Sequence, residues 1–210
     1  MTDKPQKDFL NFLKYIKKEQ KTIVTGLNIL DLGCGLGKNS IYLAKLDNTV
    51  CGTDISTEAI RIAKERAQKE DQIINFQVSN IGSNYSFDDE SFDLIVDVMS
   101  SNSLNEAERE IYLDEVKRVL KPKGYFFVRT LRKDGDKNAK NLLKQSPGPE
   151  KNTYKIKELG LVERCFEEKE LVELYSKNFE ILKLDRKTAY TKYGNQSYKR
   201  NYWLLYMATK

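Results

Sequence analysis

The sequence predicts an α/β domain in which a mostly parallel sheet carries helices on both faces and ends in an antiparallel hairpin. From Leu27 onward, short apolar strands alternate with amphipathic helices, the order that right-handed crossovers between parallel strands require. The pattern changes near the end of the chain, where strands at 179–187 and 198–210 follow each other without a helix-length segment between them. We therefore expect these two strands to pair as a hairpin.

The first element is an amphipathic helix at 7–20, within an N-terminal segment that spans 1–22. Its apolar residues recur at helical spacing and share one face, namely Phe9, Phe12, Leu13 and Ile16. Such a face packs on a core, covers a ligand pocket as a lid, or lies on a membrane surface. The pattern favours core packing.

The remaining elements are predicted from the spacing of apolar residues and from the residues typical of helix caps and turns. Strands are predicted at 28–32, 49–54, 73–78, 92–98 and 124–131, and helices at 38–46, 56–69, 105–120 and 168–176. Ser103 and Glu106 have the spacing of a capping box before the third of these helices. Pro122 and Gly124 predict a turn before the fifth strand.

Composition excludes several classes of protein. The 210 residues suit one domain, and no apolar run is long enough to cross a membrane as a helix. The chain contains no histidine, which excludes histidine-based triads and histidine metal sites, and no metal is expected. Its three cysteines form no Cys-x-x-Cys pair, and the N-terminus lacks an export signal, so a cytoplasmic location is expected. The net charge of +5 leaves nucleic acid possible without favouring it.

Residues 132–166 interrupt the alternation of strands and helices. This segment is polar, holds nine Lys or Arg against five Asp or Glu, and is long for a connection inside a compact domain. The segment begins at the carboxyl end of the strand at 124–131. Open α/β sheets bind ligands at this edge. We expect the segment to form an insert or lid over the active site.

The segment ILDLGCGLGK at 29–38 is the strongest functional signal. An apolar strand ends at Asp31, and glycines follow at 33, 35 and 37 before a helix. A dinucleotide fingerprint would need a third glycine where Lys38 stands, and no phosphate-binding loop of the Gly-Lys-Ser/Thr type is present. The next strand ends on another carboxylate, Asp54.

The chain resembles the class I S-adenosylmethionine-dependent methyltransferases. The resemblance rests on LDLGCGLG at 30–37, TD at 53–54, FDDESFDLIVDV at 87–98 and VKRVLKPKGYFFV at 116–128, in that order. It implies a Rossmann-like, seven-stranded sheet, S-adenosylmethionine as cofactor, and a single methyltransferase domain over 1–210.

The resemblance also implies a set of cofactor-binding residues. The glycine loop would hold the methionine part, Asp54 the ribose hydroxyls, and Ile55 one face of the adenine. Asn80, or alternatively Asn84, would bind the adenine amine, with Ile81 against the ring. Asp31 and Asp97 would lie near the charged centre, or else serve as capping carboxylates. The full set is Asp31, Gly33, Cys34, Gly35, Gly37, Asp54, Ile55, Asn80, Ile81 and Asp97.

The methyl acceptor is predicted to be a polar or acidic small molecule held by basic and aromatic side chains beyond the fifth strand. The residues expected to bind it are Arg129, Tyr154 and Arg164, with Tyr190, Tyr193 and Arg200 in support. An RNA or protein acceptor is the first alternative, and a non-catalytic protein that binds S-adenosylmethionine is the second. The sequence assigns neither a catalytic residue nor an oligomeric state.

Overall fold

The computed structural model describes residues 4–157, 160–193 and 196–210, with the backbone alone at 191–193 and 196. The helices are α1 (Lys7–Glu19), α2 (Lys38–Ala44), α3 (Thr57–Lys69), α4 (Glu106–Val119), α5 (Lys137–Gln145) and α6 (Glu168–Tyr175). The strands are β1 (Asn28–Leu32), β2 (Thr49–Asp54), β3 (Asn75–Val78), β4 (Phe92–Val98), β5 (Leu120–Leu131), β6 (Thr153–Ile156), β7 (Leu161–Arg164), β8 (Phe179–Tyr193) and β9 (Gln196–Thr209).

Seven strands form the main sheet in the order β3-β2-β1-β4-β5-β9-β8. The first five are parallel to one another, whereas β9 runs antiparallel to both β5 and β8. The predicted fold class is confirmed, including the hairpin. The reversal of strand order beside β1 places the ends of β1, β2 and β4 together at one edge, as expected for a ligand-binding crevice.

Alternate residues of the sheet face two separate hydrophobic layers. On β5, Phe126 and Val128 pack with α4 and α6, whereas Phe127 faces α1. This period of two is the geometry of a strand that is buried on both faces. Burial of each large apolar side chain stabilises the fold by roughly 1.5–3 kcal/mol.

Helix α1 packs on the core. Phe9, Phe12 and Ile16 are fully buried, and the ring of Phe12 stacks on that of Phe127 with centroids 5.0 Å apart. The Gln6 side chain accepts hydrogen bonds from the backbone of Asp8 and Phe9 and so caps the helix. The structure therefore shows the core-packing alternative, and the apolar face is covered by the sheet. Among the described helices, none combines the length and the apolar character that a membrane crossing requires.

The insert has more structure than its polar sequence indicates. It contains α5 and the small hairpin β6–β7, and its two ends meet where Arg132 bridges to Phe166. A compact cluster stabilises it, formed by Leu131, Ala139, Tyr154, Cys165 and Tyr202. Two of these five residues belong to the flanking strands, so the sequence of the insert alone could not show the cluster.

Two local predictions were wrong. The capping box before α4 pairs Asn105 with Glu108, because Ser103 belongs to a 3-10 turn at Ser101–Ser103. Strand β5 begins at Leu120, so Pro122 and Gly124 lie within it; they fall at an irregularity where the register with β4 shifts.

Candidate cofactor site

Three carboxylates gather at the carboxyl ends of adjacent strands, Asp31 on β1, Asp54 on β2 and Asp97 on β4. The glycine loop crosses this edge between β1 and α2. Gly33 has a φ of +64°, and a Cβ there would lie 2.2 Å from the Cβ of Ser100. Only glycine fits at this position, because the loop passes directly against the turn that follows β4.

Gly35, in contrast to Gly33, has no neighbouring atoms where a Cβ would lie. Its φ is +54°, but a Cβ would meet nothing within 4 Å, so open space lies over its backbone. The Gly35 N–H donates to Asp54 Oδ2 at 2.8 Å, and the Ser56 N–H donates to Oδ1 at 2.9 Å. Asp54 thus fixes the loop and the start of α3 while it remains half-buried at the edge.

The Asp31 carboxylate is buried and receives one strong hydrogen bond. The Ser40 hydroxyl, in the first turn of α2, donates to Oδ2 at 2.6 Å. Burial is the main cause that raises the pKa of Asp31 to about 7; the negative charges of Asp97 and Asp54 act in the same direction, and the hydrogen bonds from Ser40 act against it. A cation in this crevice would favour the ionised form.

The Asp97 carboxylate is enclosed by donors from its own chain. The Ser100 N–H donates to Oδ1 at 3.0 Å, the Tyr112 hydroxyl donates to Oδ2 at 2.7 Å, and the Ser101 N–H lies 3.3 Å from Oδ2. Asp97 is fully buried. These contacts are those expected if Asp97 serves as a capping carboxylate.

Sequence reasoning missed the partners of these carboxylates. Ser100 follows Asp97 by three residues, a local capping pattern that could have been noticed. Ser40 and Tyr112 lie on the buried faces of α2 and α4, and nothing in the sequence indicated the bonds they make.

Cys34 and Ile55 flank the same edge. The Cys34 N–H donates to the Thr53 carbonyl at 2.8 Å, which ties the glycine loop to β2. Burial raises the pKa of the Cys34 thiol, which disfavours the reactive thiolate form. Ile55 is 70% exposed just beyond Asp54, where an aromatic ring could pack on it. Gly37 is the N-cap of α2.

The turn after β3 holds the remaining predicted residues. Asn80 is half-buried, and its Oδ1 accepts the Gly82 N–H at 2.9 Å. Ile81 is buried, and its carbonyl accepts the Tyr85 hydroxyl at 2.9 Å. Asn84 is exposed.

The residues at this edge fit S-adenosylmethionine. Open backbone at Gly35 leaves room for the ligand to approach closely. The carboxylates suit its ammonium and sulfonium charges, and Asp54 suits a neutral diol better than a phosphate.

Comparison with known proteins decides the family. An S-adenosylmethionine-dependent methyltransferase of Methanosarcina mazei superposes with a TM-score of 0.79 and 30% identity, over 91% of this chain and 96% of that one. The methyltransferase domain family matches residues 23–194. The chain belongs to the S-adenosylmethionine-dependent methyltransferases. The predicted family and the predicted cofactor, S-adenosylmethionine, are confirmed at this level.

Two relatives of the methyltransferase have named acceptors. The phthiotriol/phenolphthiotriol dimycocerosates methyltransferase of Mycobacterium tuberculosis is 30% identical over 137 residues, which are 64% of this chain and 48% of that protein. The ubiquinone biosynthesis O-methyltransferase of Coxiella burnetii is 33% identical over 122 residues, 58% of this chain and 50% of that protein. The chain spans about half the length of these relatives.

Arg129 of the methyltransferase lies at the end of β5 and is paired within the chain. Its Nε donates to Asp8 Oδ2 of α1 at 3.1 Å, and its guanidinium lies 3.6 Å from the ring centroid of Tyr202. Lys187 Nζ is 3.9 Å from the other oxygen of Asp8. Arg129 therefore joins the N-terminal helix to the carboxyl end of β5.

Tyr154 and Arg164 also bind residues of their own chain. The buried Tyr154 hydroxyl donates to Glu163 and accepts from Arg200 at 2.7 Å. Arg164 forms ion pairs with three carboxylates, those of Glu106, Glu150 and Glu170. Tyr190 is 73% exposed, and the side chain of Tyr193 lies outside the described residues.

The insert packs against the turn that follows β4 and against β9. Strand β7 contacts the 3-10 turn after β4, and Trp203 Nε1 donates to the Phe166 carbonyl at 2.9 Å. Beneath it, the Thr130 hydroxyl and the Leu131 N–H both donate to Asn102 Oδ1, which links the ends of β4 and β5.

Proposed function

We propose that this chain binds S-adenosylmethionine at the carboxyl ends of β1, β2 and β4 and transfers its methyl group to a polar or acidic small molecule. The bound cofactor supplies a methyl group on a sulfonium centre, which leaves readily in an in-line displacement. The chain's own contribution is therefore to hold the two reactants in line and to exclude water. We further propose that residues 1–210 form one methyltransferase domain that acts in the cytoplasm, where unpaired buried thiols such as Cys34 persist.

One observation carries the proposal. Asp31, Asp54 and Asp97 converge on the glycine loop, and the described ion pairs include none of them. Burial is the main cause of the raised pKa of Asp31, and repulsion by Asp97 and Asp54 adds to it; a cationic ligand would relieve that repulsion.

We assign cofactor roles as follows. Gly33, Cys34, Gly35 and Gly37 present backbone to the methionine part, and Asp54 accepts from the ribose hydroxyls. Asp54 currently accepts from two backbone N–H groups, and a carboxylate has further lone pairs for a diol. Ile55 and Ile81 contact the adenine, and the Asn80 side chain binds its edge.

We propose that the insert covers the edge where the acceptor binds, and a covered edge favours a small molecule over an extended RNA or protein segment. The names of the two relatives refer to phthiotriol and phenolphthiotriol dimycocerosates and to ubiquinone biosynthesis, which supports a small-molecule acceptor. Its polar or acidic character rests on the cationic side chains of this chain alone. We propose Arg129 as the anchor of an acidic acceptor, since the Asp8 contact engages its Nε and a guanidinium carries five donors. Tyr154 and Arg164 are proposed to hold the insert in place.

Label transfer tests the proposal. The chain is incubated with methyl-tritiated S-adenosylmethionine and with small-molecule, RNA and protein fractions of a cell extract. We expect label in the small-molecule fraction, in species retained on an anion-exchange resin, and much less with the Asp54→Asn variant. Label in the RNA or protein fraction would contradict the acceptor class. Binding of S-adenosylhomocysteine without any transfer would favour a non-catalytic binding protein.

A further inference from the structure

Met99 has an unusual backbone conformation directly after β4. Its φ is +73°, in the left-handed region that residues with large apolar side chains rarely adopt. The other non-glycine residues with positive φ in the described part of the chain are polar or charged, namely Lys21, Asp47, Asp71, Glu90, Lys123 and Asn152. A strained conformation persists where the surrounding structure enforces it, and such positions cluster at functional sites.

A single buried amide holds Met99 in this conformation. Asn102 Nδ2 donates to the Met99 carbonyl at 3.3 Å and lies 3.4 Å from the Met99 Sδ. The Met99 N–H donates to the Arg129 carbonyl at 2.9 Å, at the end of the pairing between β4 and β5. The backbone and the thioether of Met99 are therefore both restrained, although a methionine side chain is usually among the most adaptable.

The orientation of the Asn102 amide is itself fixed. Asn102 is 1% exposed, and its Oδ1 accepts from the Thr130 hydroxyl and the Leu131 N–H at the end of β5. Both of these groups are donors, so they must face the amide oxygen and not the nitrogen. The oxygen therefore faces β5, and the nitrogen faces Met99.

Met99 lies between the carboxylates and the insert. It follows Asp97 by two residues at the carboxyl edge of the sheet, and it is half-buried. Its side chain packs against the hydrophobic cluster of the insert that contains Tyr154 and Cys165. The next residue, Ser100, donates from its hydroxyl to the Leu32 carbonyl at 2.7 Å, beside the glycine loop. A side chain at this junction can contact a molecule that lies between the cofactor and the insert.

We propose that Asn102 is a positioning residue for methyl transfer, which holds the Met99 side chain against the acceptor beside the carboxylate edge. The proposal rests on the proposed function, since it assigns the acceptor a position between the glycine loop and the insert. Met99 supplies an apolar wall, and Asn102 keeps that wall in one conformation before the acceptor binds. A misplacement of about 1 Å can slow a reaction about a hundredfold, so this restraint affects the rate of transfer more than the affinity for the cofactor.

Two substitutions separate positioning from packing. Asn102→Asp keeps an acceptor oxygen for Thr130 and Leu131 but replaces the donor that contacts Met99. Thr130→Val is the matched variant, because it removes a different hydrogen bond of Asn102 and leaves Nδ2 in place. A role confined to packing would make the two variants similar, whereas positioning makes only the first one slow.

Methyl NMR measures the restraint directly. The chain contains three methionines, and the fully buried Met207 of β9 serves as an internal reference. In a chain that is isotopically labelled at the methionine methyl groups, Met99→Leu assigns the Met99 signal. We expect the Met99 methyl to relax as a restrained group in the wild-type chain and as a mobile group in Asn102→Asp, with Met207 unchanged. Addition of S-adenosylhomocysteine should shift the Met99 signal and leave that of Met207 in place.

Transfer kinetics supply the second measurement. Label transfer to the small-molecule fraction is followed at saturating S-adenosylmethionine, and the affinity for S-adenosylhomocysteine is measured by calorimetry. We expect Asn102→Asp to lower the initial rate of transfer about tenfold or more while its affinity for S-adenosylhomocysteine changes less than about twofold. Thr130→Val should lower the rate less than about threefold, because the contact with Met99 remains.

The opposite results would overturn the proposal. They are a Met99 methyl that is already mobile in the wild-type chain, an unchanged mobility or an unchanged rate in Asn102→Asp, and a Met99 signal that ignores bound S-adenosylhomocysteine. An equal loss of rate in Thr130→Val, or a parallel loss of affinity for S-adenosylhomocysteine in Asn102→Asp, would show that Asn102 only stabilises the fold. A wild-type chain that neither binds S-adenosylhomocysteine nor transfers label would count against the proposed function, and the mobility of the Met99 methyl would still decide whether Asn102 restrains it.

Discussion

The glycine-loop edge of the sheet and the proposed acceptor half, which comprises β5, β8, β9 and the insert at 132–166, differ in what sets their geometry. At the cofactor edge, backbone groups and short side chains set the geometry, and most partners come from adjacent strands or the next turn, as with Asp54 and Gly35. In the proposed acceptor half, long cationic side chains set the geometry. Their hydrogen-bond partners can lie far from them in the sequence. Arg129 binds Asp8, which precedes it by 121 residues.

This difference shows which parts of a site can be predicted from a short sequence motif and which parts cannot. A glycine loop followed by a carboxylate at the next strand end determines a site almost by itself. A basic residue at a strand end can bind an acceptor or a distant carboxylate of the same chain, and only the folded chain decides between them.

The largest expected effect comes from breaking the Asp8–Arg129 pair. Asp8→Ala would leave a nearly buried guanidinium without its carboxylate, and we expect the free energy of unfolding to fall by about 3–5 kcal/mol. Urea denaturation measures this. The double variant Asp8→Ala/Arg129→Ala should lose less stability than the sum of the two single variants. Each side chain destabilises the fold chiefly when it is buried without its partner. Additive losses would show that the pair is not coupled.

The glycine loop gives the next largest effect. Gly33→Ala places a Cβ against Ser100 at a positive φ, and we expect a loss of roughly 2–4 kcal/mol in urea denaturation. Gly35→Ala is the matched change, because it has a similar φ but open space over it. It should cost about 1–2 kcal/mol in stability and chiefly weaken S-adenosylhomocysteine binding. Equal destabilisation by the two variants would contradict the close approach at Gly33.

A smaller effect is expected from the protonation of Asp31. Its pKa of about 7 in the native chain exceeds the value of about 4 in an unfolded chain. Between those values the native state holds a proton that the unfolded state has released, so raising the pH from about 4 to 7 should lower stability. The ammonium group of S-adenosylhomocysteine favours the ionised carboxylate, so its binding should tighten by up to about tenfold from pH 6 to pH 8.

Titration calorimetry at several pH values, with Asp31→Asn as the comparison, measures this dependence. The variant should bind with little change over the same range. A wild-type affinity that is flat with pH would show that the ligand's charge does not interact with Asp31.

Much of the fold and of the cofactor edge could be predicted because local pattern determines them. Strand β4 was predicted at its observed bounds, and the hairpin β8–β9 followed from the absence of a helix between two apolar strands. The structure of the insert could not be predicted, because Tyr154 and Cys165 are buried by residues of the flanking strands. The same holds for Tyr112, whose bond to Asp97 depends on how α4 packs against the sheet.

Calorimetric titration of the wild-type chain and Asp54→Asn with S-adenosylhomocysteine and with NAD tests the central claim most directly. Glu58→Gln is the control, because Glu58 is exposed and lies four residues after Asp54 in the sequence. The account predicts that S-adenosylhomocysteine binds, that Asp54→Asn weakens it about tenfold or more while Glu58→Gln does not, and that NAD does not bind. NAD binding with similar affinity, or unchanged binding by Asp54→Asn, would contradict it.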